Sequence, residues 1–271
     1  RPMTEVIHYK RRFLFWGLIA LAGILAIPLQ VERAEATGGG PEGFGYNWHD
    51  NVAVSLVSAT TPVNLGDDDF AEVPIGFDFE FYGQIYDTVT ISSDGALHFD
   101  GPTALSSDNE SLAISAFRGI LAFWDNLNPD AGGAIRYGTL GTAPTRRFLV
   151  EWRNVPHWYN NAPYYNIGDS SFEVKLFEED GAIEFHYGDV QFGDAGFDLG
   201  ASATVGIVDD LQGYYLQASY DAATLMDNYA LRFEPPLPCF DADGDGWGVC
   251  DGDCANQDPS IHPGAEEICN D

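Results

Sequence analysis

The stretch DADGDGWGVCDGDC, residues 241–254, sets five aspartates and four glycines beside two cysteines without one basic residue. The spacing Asp241-x-Asp243-x-Asp245-Gly246 is that of the first half of a calcium loop. In such a loop carboxylates at positions 1, 3 and 5 converge on one ion and glycine at position 6 makes the sharp turn. The carbonyl of Trp247 falls at position 7 and adds an oxygen. Position 12, where a bidentate glutamate belongs, is Gly252, with Asp251 and Asp253 on either side, so this is not an ordinary EF-hand. Hard oxygen donors favour Ca²⁺, and the first half of the loop offers no thiolate or imidazole for copper or zinc. The competing reading is an acidic spacer whose aspartates serve turns and solubility.

Something must hold those ligands in place. Residues 239–271 contain seven Asp, two Glu, no Lys or Arg and few apolar side chains, too little to fold on a core. Disulfides and a bound cation are the expected substitutes. All four cysteines, Cys239, Cys250, Cys254 and Cys269, lie in this segment, and their three possible pairings stay open. A proline-rich linker, 235–238, sets it off from what precedes, because such a run cannot continue a central strand.

The segment DADGDGWG…DGDCANQDPSIHPGAEEICND resembles the metal-binding repeat of MopE-type secreted bacterial proteins, which runs D-x-D-G-D-G-Y-G, a variable insert, D-C-D-D-x-D-P and P-G-A-x-E-x-C-N-D. It is similar, less closely, to the aspartate-rich calcium repeats of thrombospondins. The resemblance implies acidic ligands at Asp241, Asp243, Asp245, Asp253 and Asp258. Ala255 and Asn256 replace the paired acids that usually follow the cysteine, and Trp247 replaces Tyr. The family's name implies copper, but His262 is the only imidazole in the segment, so calcium is the expectation. The family's repeats usually continue in further copies, and this chain begins with Arg and stops at EICND, so a fragment is expected.

At the other end Lys10, Arg11 and Arg12 precede an apolar run, Phe13 to Leu29, followed by Ala34-Glu35-Ala36. That order is a secretory signal peptide, 1–36, cleaved before Thr37. An uncleaved anchor, the sole expected membrane contact, is the alternative. Removing five of 12 basic and three of 42 acidic residues leaves 7 against 39, a formal charge of −32. Nucleic acid is thereby excluded as a partner, since repulsion from phosphates dominates.

Between the two ends the grammar is that of strands. In IGFDFEFYG, Ile75, Phe77, Phe79 and Phe81 alternate with Gly76, Asp78 and Glu80, as one buried face requires. Ser93-Asp94-Gly95 and Asp180-Gly181 each stand between a pair of β-prone runs and predict hairpins. GILAFW (119–124) is apolar throughout, fit for a central strand, whereas 146–155 and 171–187 alternate. With 203–208 and 229–235 they make eight to ten strands, and SLAISAF (111–117) is the one expected short helix. The fold class expected is all-β, an antiparallel β-sandwich over 43–234 with jelly-roll topology, after a glycine-rich spacer, 37–45. Phe77, Phe79, Phe81, Tyr82, Gly83, Ser92, Ser93, Gly95, Leu97, Phe99, Phe123, Trp124, Asp125 and Leu127 make this region similar, distantly, to nidogen-type extracellular domains, which implies a fold and a setting rather than a chemistry.

No nucleophile elbow, zinc helix or phosphate-cradling loop appears, so no catalytic residue is assigned. His98 and His186 sit inside strand patterns, where a structural role is expected. Asn109-Glu110-Ser111 matches a glycosylation sequon. The loop HWYNNAPYYN (157–166) concentrates His157, Trp158, Tyr159, Tyr164 and Tyr165 with three asparagines, suited to stacking on a glycan or gripping a protein, or simply to covering the sandwich edge. The function expected is a secreted or cell-surface bacterial protein of interaction or adhesion, not an enzyme, with Ca²⁺ as its cofactor. A carbohydrate-binding module and a secreted hydrolase are the alternatives.

Overall fold

The computed structural model describes residues 37–160, 165–236 and 260. The signal segment 1–36, the metal candidates Asp241, Asp243, Asp245, Trp247, Asp251, Asp253 and Asp258, the four cysteines and Tyr164 lie outside the described residues.

Fourteen strands are found among the described residues: β1 (Gly38–Gly39), β2 (Asn47–His49), β3 (Thr61–Val63), β4 (Phe70–Phe81), β5 (Gln84–Ser92), β6 (Ala96–His98), β7 (Arg118–Trp124), β8 (Ala134–Leu140), β9 (Arg147–Trp158), β10 (Asn166–Phe177), β11 (Ile183–Asp189), β12 (Thr204–Asp209), β13 (Tyr214–Tyr220) and β14 (Tyr229–Glu234). They form an eight-stranded sheet ordered β1-β2-β14-β11-β10-β9-β8-β3 and a six-stranded sheet ordered β13-β12-β7-β6-β5-β4, every pairing antiparallel. Two uninterrupted meanders, β4 to β7 and β8 to β11, each stay within one sheet. A jelly roll passes successive strands between its sheets, so the expected jelly-roll topology is not the one formed. Short turns such as Asp94-Gly95 keep neighbours paired, because pairing in place costs the least loop-closure entropy. The glycine-rich 37–45 carries β1, whose two glycines pair with Trp48 and His49.

The core follows from the alternation. Val73, Ile75, Phe77, Phe79 and Phe81 of β4 are buried while Glu72, Pro74, Gly76, Asp78 and Glu80 face water. Each such Phe or Ile contributes about 1.5–3 kcal/mol over its exposed state. Pro74 is tolerated because β4 is an edge strand. The sheets meet through large rings and through hydrogen bonds: Phe123 stacks on Phe172 at 5.5 Å, Tyr187 Oη donates to Ala122 O at 2.7 Å, Trp152 Nε1 donates to Ser92 O at 3.2 Å and Thr139 Oγ1 donates to Ile75 O at 2.5 Å. Gly95 holds φ at 73°, and a Cβ there would stand 2.0 Å from Phe123 O, so the tight β5–β6 turn admits glycine alone.

Each sheet also carries a cover on its outer face. Segment 100–117 lies over the six-stranded sheet, where Leu112 and Phe117 pack with Leu121, Trp124 and Val208 and the indole of Trp124 donates to Ser106 O at 2.7 Å. The helix expected over 111–117 is absent. Ser111 and Ser115 bind nearby polar groups instead, Ser115 Oγ donating to Ser111 O, while Leu112 N and Ser111 Oγ both donate to Gln217 Oε1. Over the eight-stranded sheet runs the extended segment 51–60. Ser55 N donates to His186 Nδ1 at 3.2 Å, Val57 N donates to Glu173 Oε1 at 2.7 Å, and Lys175 Nζ donates to Ser55 O. Among the described residues no helix is long and apolar enough to cross a membrane.

Candidate functional site

The aromatic loop rises from one end of the sandwich. Its stem is sewn to the segment that follows β7: Trp158 N donates to Asn126 O and Asn128 N to Pro156 O, both at 2.8 Å, and Leu127 bridges His157. Tyr159 N then donates to Tyr165 O at 2.8 Å, closing the loop across its base. These main-chain bonds hold β9 to its end at Trp158.

His157, read as a ligand residue, is only 3% exposed. Its Nε2 lies 2.9 Å from Asp125 Oδ1, out of line for a hydrogen bond, and its Nδ1 contacts Trp158 O. The ring is clasped by Phe197 at 4.1 Å and Phe192 at 5.4 Å. Ser202 Oγ donates to Asp125 Oδ2 at 2.5 Å. Serine, aspartate and histidine are therefore together, but the serine touches the carboxylate and not the imidazole. A nucleophilic serine needs the base at its own hydroxyl, so this trio works as a clamp. Trp158 and Tyr159 are half-buried, Tyr159 against Phe197 at 5.2 Å, and Tyr165 is 49% exposed. The structure thus separates the candidates into a buried anchor, His157, and an outward aromatic set, Trp158, Tyr159 and Tyr165.

A second group of charges gathers on a neighbouring turn. Asp94 is fully buried, accepts from Leu127 N at 3.1 Å and from Ser93 Oγ at 3.3 Å, and has its carboxyl pushed up to about 8, first by burial and then by Asp68. Asp67 is raised as well, by burial, Asp68 and Asp130. Among the described residues no three His, Cys, Asp or Glu converge as a metal site.

Sequence reasoning takes Asp94 for a mere turn residue, and it does not find Ser202, Phe192 or Phe197. What sets Asp94 apart is the contact of its carboxylate with Leu127 N, two residues past Asp125, which the sequence does not announce. Ser202 and the two phenylalanines come from a distant loop whose return to this end is a property of topology.

Residues 49–233, well over half of the chain, match the family model described as NIDO related. No solved structure matches the chain.

Proposed function

The chain belongs to the nidogen-related family, whose domains are extracellular in kind, and from that premise we propose that it is a non-enzymatic protein of extracellular interaction or adhesion. In this reading the β-sandwich supplies the binding surface. The aspartate-rich module that follows is ordered by Ca²⁺ and by bridges among Cys239, Cys250, Cys254 and Cys269, and stiffens a stalk. The single observation that carries the interaction role is the family match over 49–233. The calcium role rests on the spacing Asp241-x-Asp243-x-Asp245-Gly246 and on its resemblance to the MopE-type repeat of secreted bacterial proteins. The order of basic residues, apolar run and Ala34-Glu35-Ala36 supports export.

Calorimetric titration of the whole chain with Ca²⁺ tests the module: saturable heat is expected, weakened by Asp243→Ala, and a silent titration overturns the calcium role. A carbohydrate-binding role is the second reading, favoured by the exposed ring of Tyr165 on a stem held by main-chain bonds. It predicts glycan-array signals that Trp158→Ala removes; an array unchanged by that substitution rejects it. The hydrolase reading ranks below both, since Ser202 contacts Asp125 rather than His157.

A further inference from the structure

Strand β1 is two residues long, and what fixes it lies one residue earlier. Thr37 is the next rung of its ladder with β2: beyond the pair Gly38 and His49, the N–H of Asp50 donates to Thr37 O at 3.1 Å. The Asp50 carboxylate turns back on the same residue, where Oδ1 accepts from Thr37 N at 2.7 Å and Oδ2 accepts from Thr37 Oγ1 at 2.9 Å. Oδ2 also accepts from Tyr229 Oη at 3.2 Å.

The hydroxyl donors on this carboxylate are neutral, and so is Thr37 N while it remains a peptide nitrogen. Among the described residues no Lys, Arg or His pairs with Asp50, and His49 beside it meets Glu234 at 3.5 Å. A carboxylate with donors gathered on it and no counter-charge can seat a cation, and charge-assisted hydrogen bonds are about twice as strong as neutral ones. The nitrogen already in place at 2.7 Å is that of Thr37.

The sequence puts a scission at that same nitrogen. Ala34-Glu35-Ala36 sets small residues at the −3 and −1 positions of a signal peptidase, so the bond cut is the one before Thr37. Hydrolysis balances with water alone: its hydroxyl goes to the carbonyl carbon of Ala36 and its hydrogen to Thr37 N as the C–N bond breaks, and the new acid then gives its proton to the new amine. A neutral amide with one N–H becomes an ammonium with three. What β1 covers gives the contact its weight. Gly39 lies so near Trp48 that a Cβ there would stand 2.6 Å from Trp48 Nε1, and Trp48 in turn packs on Phe233 of the core at 6.5 Å. A cavity of about 310 Å³, lined by Thr37, Trp48, Ala218, Leu225 and Tyr229, lies there between β13 of one sheet and β2 and β14 of the other.

We infer that Asp50 is the seat of the α-ammonium that processing creates on Thr37, and that this ion pair fastens β1 over the edge of the sandwich at Trp48. The inference rests on the export reading above. An uncut chain keeps the same hydrogen bond without the charge, so the fastening is completed by the cut.

The whole processed chain, 37–271, is released from a fusion by a protease that leaves Thr37 first, and is compared with a chain that carries a neutral Gly-Ser-Gly-Ser extension before Thr37. At pH 8 acetic anhydride is expected to acylate the α-amine of the processed chain about tenfold more slowly than that of its Asp50→Asn variant, because the carboxylate holds the amine charged above the ordinary α-amino range. Hydrogen exchange at the main-chain N–H of residue 50, which reports the bond to Thr37 O, is expected to be about threefold slower in the processed chain than in the extended one, the size of a partly exposed ion pair. Asp50→Asn is expected to erase that difference. An amine equally reactive with and without the carboxylate, or equal exchange in the two chains, overturns the inference and leaves export standing. Sequencing of the chain exported by a bacterial host is expected to begin at Thr37. Another first residue overturns the inference at the cut itself, and a chain retained uncut overturns the export reading with it.

Discussion

Glu173 Oε2 and Lys175 Nζ lie 3.3 Å apart on β10, and at most 2% of either residue is exposed although both stand on the side of the sheet that looks away from the core. They are buried because the extended segment 51–60 runs above them and takes its hydrogen bonds from them. Burial raises the carboxyl of Glu173 and lowers the ammonium of Lys175, each opposed by the other's charge.

Removing one partner leaves a buried charge alone. Lys175→Met is expected to cost about 3–5 kcal/mol in urea unfolding, and adding Glu173→Gln to recover most of that loss. Equal stability of the single variant and the parent would show that segment 51–60 does not seal the pair from water.

The carboxyl of Asp94 gives a pH signature. Its folded value, about 8, stands above its unfolded value of 3.8, so its stabilising share is complete below pH 3.8 and is lost as the pH rises through 8. The full effect is on the order of 5 kcal/mol. Asp94→Asn removes this titration. Thermal melts are expected to place the variant near the parent at pH 4 and well above it at pH 8; parallel profiles at both values would refute the assignment.

The hydroxyl of Tyr187 spans the two sheets to reach Ala122 O. Tyr187→Phe keeps the ring and strands that carbonyl, so a loss of about 1–2 kcal/mol is expected from chemical denaturation. A neutral result would mean that water reaches the carbonyl.

At the β5–β6 turn the obstacle is steric. Gly95→Ala puts a methyl 2.0 Å from Phe123 O at a φ of 73°, and the backbone of a central strand cannot step aside. The strained φ alone costs about 1–2 kcal/mol, and the clash adds to it, so a large fall in Tm and poor soluble yield are expected. A parent-like Tm would place that turn farther from β7.

Much of the sandwich is legible because its signals are local. The alternation of β4, the unbroken apolar run of β7 and the turns at Asp94-Gly95 and Asp180-Gly181 each state their structure within ten residues. Segment 51–60 states nothing of the kind. It is held by Glu173, Lys175 and His186, more than a hundred residues away, and those side chains look like solvent-facing positions until a cover is placed above them. The same blindness affects His157, whose surroundings, Phe192, Phe197 and Asp125, come from other strands and loops. Serines mislead locally: 111–117 is the one expected short helix, yet hydroxyl and glutamine contacts decide against it.

The eight-stranded sheet ends in β1, two residues long, and β3, three residues long with Pro62 at its centre. Strands so short present almost no free ladder of main-chain donors and acceptors, and a proline deletes one donor outright. A second molecule laid against either border of this sheet finds no template to extend. Copies of the domain can therefore be concentrated side by side along these borders without propagating into fibrils, and any lasting association there has to be written in side chains.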